Sequence, residues 1–215
     1  MNFKGVIFDL DGTLVDSLTD LADSMNYVLE KNGFHGHGLH AYKYFIGRGI
    51  RNLVINALPE EKRDEETISR CHEQMVAHYN SNCLSKTIPY EGIQELLHAL
   101  NSKGLKLSVF SNKADEFTKK ITYSLFPGIF EIVRGLTDIT LRKPDPSGAL
   151  AIAGEMNLAP SEIAYLGDTS TDMQTAVNAG MYAVGVLWGF RTKEELLENG
   201  AQYLLHNPME LLNLI

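Results

Sequence analysis

Two aspartates separated by one residue, Asp9 and Asp11, stand directly after the apolar run Val6-Ile7-Phe8, and Gly12 turns the chain behind them. A short apolar run that breaks at a turn reads as a buried strand running into a loop, so both carboxylates belong at the mouth of a strand. At the carboxyl end of a parallel strand, that position opens onto the crevice where α/β sheets bind ligands. Grouped carboxylates raise each other's pKa, and a buried charge needs a partner. A divalent cation with oxygen ligands meets that need, and Mg2+ suits a site offering few protein oxygens and several waters. Other polar residues fall at comparable places. Ser111-Asn112-Lys113 follows the strand-like run 105–110, Gly167-Asp168-Thr169-Ser170-Thr171-Asp172 follows the run 163–166, and Lys143 lies in the loop Arg142-Lys143-Pro144-Asp145-Pro146. On one parallel sheet these ends share an edge, where a hydroxyl, an ammonium and four carboxylates converge.

The elements that must hold them follow from periodicity. Leu18, Leu21, Met25, Val28 and Leu29 fall at helical spacing, with Thr19 or Asp20 as cap and Gly33 as stop. Residues 44–58 suggest a helix interrupted by Gly47-Arg48-Gly49. Residues 60–82 read as a longer polar helix with Ile68, Cys71, Met75, Val76 and Tyr79 on one side. No strand pattern occurs between residues 17 and 86. Strand and helix alternate only after the turn Pro89-Tyr90-Glu91-Gly92, which opens a helix through Leu96, Leu97 and Leu100. Strands are predicted over 105–110, 130–133, 163–166 and 182–187, with helices over 116–125, 147–156 and 173–179, then an edge strand over 201–205 and a helix over 209–214. Such alternation implies right-handed crossovers and a parallel sheet. The fold class is therefore α/β: a Rossmann-like core from residues 1–16 and 87–215, interrupted by an all-helical insertion, residues 17–86.

Composition narrows the partners. The 215 residues carry 19 Lys and Arg against 27 Asp and Glu, a formal charge of −8. Such a surface has no general attraction for nucleic acid or an anionic membrane, so an anionic ligand must be held locally. No apolar run reaches the length of a membrane span, and Asp9 and Asp11 break the only one near the start, unlike a signal peptide; a cytoplasmic location is the expectation. Cys71 and Cys83 lack the pattern of a disulfide framework or a zinc site and read as buried thiols. His35, His37 and His40 lie in a glycine-rich connector without acidic companions and read as exposed loop imidazoles, while the lone Trp188 reads as a packing residue.

The ordered set Asp9-Leu10-Asp11-Gly12-Thr13, then Ser111-Asn112, then Lys143-Pro144, then Gly167-Asp168 with Asp172 four residues on, resembles the four motifs of the haloacid-dehalogenase-like hydrolase superfamily, across essentially the whole chain. The helical insertion behind the first motif is similar to the cap of the subfamily containing phosphoglycolate phosphatases and β-phosphoglucomutases. Gly47-Arg48-Gly49, Ser111-Asn112-Lys113 and Val186-Leu187-Trp188-Gly189-Phe190 resemble the phosphoglycolate phosphatase branch. The resemblance implies a Mg2+-dependent phosphatase that acts on a small phosphorylated metabolite through a phosphoaspartate, with 2-phosphoglycolate the leading substrate. On that pattern Asp9 is the nucleophile and Asp11 the general acid and base. An aspartate at the second position points to a phosphate ester, since expelling halide needs no proton. Mg2+ would be held by the Asp9 carboxylate, the Asp11 main-chain carbonyl and the Asp168 carboxylate, with Asp172 orienting bound water or Lys143. The Ser111 hydroxyl and main-chain N–H groups near Asn112 and Gly12 would hold phosphate oxygens, Thr13 would complete that loop and position Asp11, and Lys143 would offset charge on Asp9 and the phosphoryl group. Arg48 would meet a substrate carboxylate, and Lys113, at a helix start, is a second specificity candidate.

Gly47-x-Gly49-x-x-Asn52 lacks the third glycine and preceding strand of a dinucleotide fingerprint, and no Gly-x-x-x-x-Gly-Lys-Ser/Thr loop occurs. A β-phosphoglucomutase-like phosphosugar mutase or a pyrophosphatase fits the same scaffold. A non-enzymatic phospho-accepting signalling module also uses clustered aspartates, a hydroxyl and a lysine, but has no use for Asp11 as acid or for a helical cap.

Overall fold

In the computed structural model, which describes residues 3–138 and 141–215, the chain runs β1 (Gly5–Phe8), β2 (Val15–Asp16), α1 (Leu18–Lys31), α2 (Leu39–Phe45), α3 (Ile50–Ala57), α4 (Glu65–Asn82), β3 (Ile88–Pro89), α5 (Ile93–Ser102), β4 (Lys106–Ala114), α6 (Asp115–Leu125), β5 (Ile132–Leu136), α7 (Ser147–Glu155), β6 (Ile163–Gly167), α8 (Ser170–Ala179), β7 (Tyr182–Val186), α9 (Lys193–Glu198) and β8 (Tyr203–Leu205). It divides into two units, Met1–Asp16 with Pro89–Ile215, and Ser17–Ile88. The first is a Rossmann-like α/β core and the second the inserted helical cap.

In the core, a six-stranded sheet has the order β5-β4-β1-β6-β7-β8, with every described pairing parallel. All four residues of β1 are buried, as a central strand covered on both faces requires. The chain builds outward from β1 through β4 to β5 and then crosses to β6 on the other flank, so the order reverses at β1. On one face Ile7, Phe110 and Tyr165 pack with Ile152, Met156, Met173 and Ala176 of α7, α8 and their ends. The buried residues of α5, Ile93, Leu96, Leu97 and Leu100, fall on one helical stripe. No described helix is long and apolar enough to cross a membrane.

Several expectations need correction. β4 does not stop at Phe110 but runs on to Ala114, and its pairing with β5 slips from Phe110↔Arg134 to Ala114↔Leu136. Ser111-Asn112-Lys113 therefore sits on a bulge, which re-aims side chains without ending the strand. β5 starts at Ile132, not at residue 130. α9, capped by the Thr192 side chain, was not anticipated, and the final helix is a 3-10 segment, Pro208–Asn213.

In the helical unit, α2 and α3 flank the Gly47-Arg48-Gly49 break as expected. The segment 60–82 splits into a 3-10 turn, Glu60–Lys62, and α4, whose Asp64 cap accepts from the Thr67 N–H at 2.9 Å. Ile68, Cys71, Met75 and Tyr79 form its buried side, and both cysteines are buried thiols outside any disulfide. His37 is not an exposed imidazole. Its Nε2 lies 2.7 Å from Ala57 O, and its ring meets Tyr42 and Phe45 edge-on. The α1 cap is Ser17, not Thr19 or Asp20. Asp20 is instead a buried carboxylate that accepts from Lys86 N–H (3.0 Å to each oxygen), Thr87 N–H (2.8 Å) and Thr87 Oγ1–H (2.7 Å).

Substituting Asp20→Ala leaves the buried Thr87 amide and hydroxyl without their acceptor, at a cost of about 2–4 kcal/mol. Urea unfolding should show the midpoint falling accordingly, with a smaller loss for Asp20→Asn. An unchanged midpoint in Asp20→Ala would show that the clamp contributes nothing.

Candidate active site

Phe8, the last residue of β1, is level with Val109 on β4 and Leu166 on β6. Asp9 carries the ladder one step further by donating its N–H to Leu166 O at 2.9 Å. The chain then folds tightly onto Leu10, whose carbonyl accepts from the N–H groups of Thr13, Leu14 and Val15 at 3.3, 3.0 and 3.1 Å. Gly12 takes a left-handed φ of +84°, and a Cβ there would stand 2.3 Å from Asp168 Oδ2. Both facts require glycine. The Gly12 N–H, expected on a phosphate oxygen, donates to Val15 O at 2.9 Å. The main-chain donor left beside Asp9 is the N–H of Leu10, which bonds to no described group. An apolar residue type carries no signal for such a role.

Lys143 is the buried cation of the site. Its Nζ lies 2.9 Å from Asp9 Oδ1, 2.6 Å from Asp172 Oδ1 and 3.1 Å from Phe110 O, and it also stands over the rings of Phe110 and Tyr165. Its loop is pinned by the Asn112 side chain, which accepts from Lys143 N–H at 2.9 Å and donates to Lys143 O at 3.3 Å. The Asn112 side chain thus positions Lys143 from the β4 bulge. Asp172 is fixed on its other side, because Oδ2 accepts from Thr169 Oγ1–H at 2.6 Å and from Thr169 N–H at 3.1 Å in a reciprocal capping box at the start of α8.

Asp168, at the end of β6, accepts from Thr13 Oγ1–H at 3.2 Å and from Phe190 N–H at 2.8 Å. Thr13 was expected to position Asp11, but its hydroxyl is directed at Asp168. Asp11 is gripped instead by Lys113, whose Nζ lies 2.9 and 3.0 Å from its two carboxylate oxygens. Lys113 is only 3% exposed, so it is not a solvated lysine at a helix start. The Ser111 hydroxyl oxygen accepts from Lys113 N–H at 3.3 Å, which leaves its own hydrogen to donate. Tyr90 was not singled out from sequence. Burial, with Asp16, Asp168 and Asp11 nearby, pushes its phenol up. Arg48 belongs to the helical unit, where it is exposed and its guanidinium bonds to no described residue.

The electrostatics call for a cation. One oxygen from each of Asp9, Asp168 and Asp172 lies within 4.8 Å of the others, and all three residues are buried. Three carboxylates against the single Lys143 ammonium leave two formal negative charges. Burial, opposed by Lys143 and reinforced by Asp172, pushes Asp9 up to about 6. Burial together with Asp172 and Asp9 pushes Asp168 well above the carboxylate range. Lys143 is lowered by burial but raised more by Asp172 and Asp9, and stays charged. Asp9 Oδ1 has no partner among the described residues other than the Lys143 ammonium at 2.9 Å. A hard divalent cation between Asp9 and Asp168 fits this donor set, because Asp172 is already ion-paired to Lys143 through Oδ1 and takes two donors from Thr169 on Oδ2, whereas each Asp168 oxygen takes a single donor.

With its pKa raised, Asp9 destabilises the folded, metal-free protein increasingly as pH climbs from about 4 through about 6, because the unfolded carboxylate ionises first. Asp9→Asn should therefore raise the thermal midpoint of metal-free protein at pH 8, with the gain vanishing near pH 4. A gain that is equal at both pH values would contradict this electrostatic picture.

The model of the haloacid dehalogenase-like hydrolases matches residues 6–186. A phosphoglycolate phosphatase of Aquifex aeolicus is 32% identical over 211 residues, covering 98% of this chain and 95% of its own length. One of Psychrobacter arcticus is 31% identical, covering 91% and 88%. A solved structure from Lactobacillus delbrueckii subsp. bulgaricus superposes with a TM-score of 0.91 at 30% identity, covering 98% and 97% of the two chains. A predicted phosphoglycolate phosphatase of Haemophilus somnus gives 0.90 at 26%, covering 100% and 98%. The chain belongs to the haloacid dehalogenase-like hydrolase family, in the branch with a helical cap, and its aspartate cluster is that of a phosphatase of small phosphorylated metabolites.

Proposed function

We propose that this phosphatase is Mg2+-dependent, works through a phosphoaspartate at Asp9, and takes 2-phosphoglycolate as substrate. The observation that carries the mechanism is the buried Asp9 carboxylate, held at 2.9 Å by Lys143 beside Asp168, with negative charge in excess. Mg2+ on the Asp9 and Asp168 carboxylates and the Asp11 main-chain carbonyl would supply the charge that lets an anionic nucleophile meet an anionic phosphate.

The chain's own residues do the rest. An Asp9 oxygen attacks phosphorus and the ester P–O bond breaks, while Asp11 gives its proton to the departing oxygen. Water then attacks the phosphoaspartate, Asp11 takes back a proton, and the bond to Asp9 breaks to release inorganic phosphate. Lys143 offsets charge on both Asp9 and the phosphoryl group, and the Ser111 hydroxyl with main-chain N–H groups at Leu10 and in the bulge donates to phosphate oxygens. Lys113, paired with Asp11 in the absence of substrate, and the exposed Arg48 are the candidates for reading a second anionic group on the substrate. The choice of 2-phosphoglycolate is supported by the similar proteins that bear that activity in their names.

Phosphate release from 2-phosphoglycolate, glucose 1-phosphate and pyrophosphate, with and without Mg2+, tests the reading. Turnover should require Mg2+, favour 2-phosphoglycolate, and drop on the order of 10⁴-fold in Asp9→Asn. Preference for either other compound would refute the substrate, and full activity in Asp9→Asn would refute the nucleophile. Arg48→Ala should raise KM for 2-phosphoglycolate more than for p-nitrophenyl phosphate; equal effects would remove the carboxylate role.

A further inference from the structure

We infer that residues 187–190, the loop leaving β7, form a bracket that holds Asp168 against the Asp9–Thr13 turn, with Trp188 as a positioning residue for cation binding. The bonds form a closed circuit. Trp188 Nε1–H donates to Thr13 O at 3.0 Å, Thr13 Oγ1–H donates to Asp168 Oδ1 at 3.2 Å, and Asp168 Oδ2 accepts from Phe190 N–H at 2.8 Å. Gly189 closes the gap between them. A Cβ there would lie 2.3 Å from Asp168 Cβ and 2.5 Å from Gly12 O, so the loop backbone lies directly on both parts of the site. Gly12 also meets Asp168 with no room for a side chain. The Asp168 carboxylate thus has a donor on each oxygen, which fixes its plane and the lone pairs that remain for a cation. The circuit also sets the spacing between Asp168 and the turn that carries Asp9. Trp188 makes no hydrogen bond to Asp9, Lys143 or Ser111, so its effect passes through Thr13.

This inference rests on the Mg2+ reading above, and the test separates the two. Trp188→Phe keeps an aromatic ring and removes the donor. Titration calorimetry of metal-free protein with Mg2+ should show affinity weakened about two- to tenfold, the worth of one hydrogen bond. The circular dichroism spectrum should match wild type, kcat should recover at saturating Mg2+, and KM for p-nitrophenyl phosphate should hardly move. A merely structural role would lower the folded fraction and leave the Mg2+ midpoint in place. Wild-type Mg2+ affinity in Trp188→Phe would overturn the inference alone, and failure of the wild type to bind Mg2+ would overturn the metal reading and the inference with it. Should the variant not fold, the wild type supplies the second measurement, because Trp188 is the chain's one tryptophan. Its emission should change as Mg2+ binds, and unchanged emission alongside calorimetric binding would overturn the coupling.

Discussion

A single ammonium, Lys143 Nζ, is shared between Asp9 Oδ1 at 2.9 Å and Asp172 Oδ1 at 2.6 Å, with the Phe110 carbonyl as its third partner at 3.1 Å. It is almost wholly removed from water, so burial works against its charge and the two carboxylates must outweigh that cost. Much of the local architecture serves to keep this geometry. The bulge in β4 supplies Asn112, which fixes the Lys143 backbone, and the first turn of α8 supplies the capping box that fixes Asp172. Removing the ammonium itself would be costly, because Asp9 and Asp172 would both survive as buried carboxylates without their shared partner.

The same ammonium is not enough for the cluster it serves. Asp168 joins Asp9 and Asp172, and burial, reinforced by the neighbouring carboxylates, raises the pKa values of Asp9 and Asp168. The protein thereby stores affinity for a cation at the sheet edge where the strand order reverses around β1. A cation there would complement the charge of an incoming phosphate oxygen beside the Asp9 carboxylate. The separate Lys113–Asp11 pair carries no net formal charge of its own.

The chemistry-bearing residues were legible in the sequence because each is a polar residue that terminates or follows a buried strand, and a parallel sheet sends those ends to one edge. Asp9, Lys143, Asp168 and Asp172 meet in the structure for that reason. What was illegible depends on partners distant in the chain. Nothing in the local pattern tells that the Thr13 hydroxyl serves Asp168 rather than Asp11, or that Lys113 is buried against Asp11. The Leu10 amide is invisible because apolar side chains do not advertise main-chain donors. Asp20 looked like a helix cap because its type and position suit one, yet residues 86 and 87 compete for its oxygens. The bulge in β4 was missed because Ser111-Asn112-Lys113 has the composition of a loop.

The central claim, that Asp9 attacks phosphorus and is itself phosphorylated, makes the reaction two successive in-line displacements. The most direct measurement is the stereochemical course at phosphorus, followed with a phosphate ester made chiral by oxygen isotopes and transferred to an acceptor alcohol. Each displacement inverts the centre, so overall retention is the predicted result. Overall inversion would mean a single direct displacement, and would contradict the role assigned to Asp9 and to the charges arranged around it.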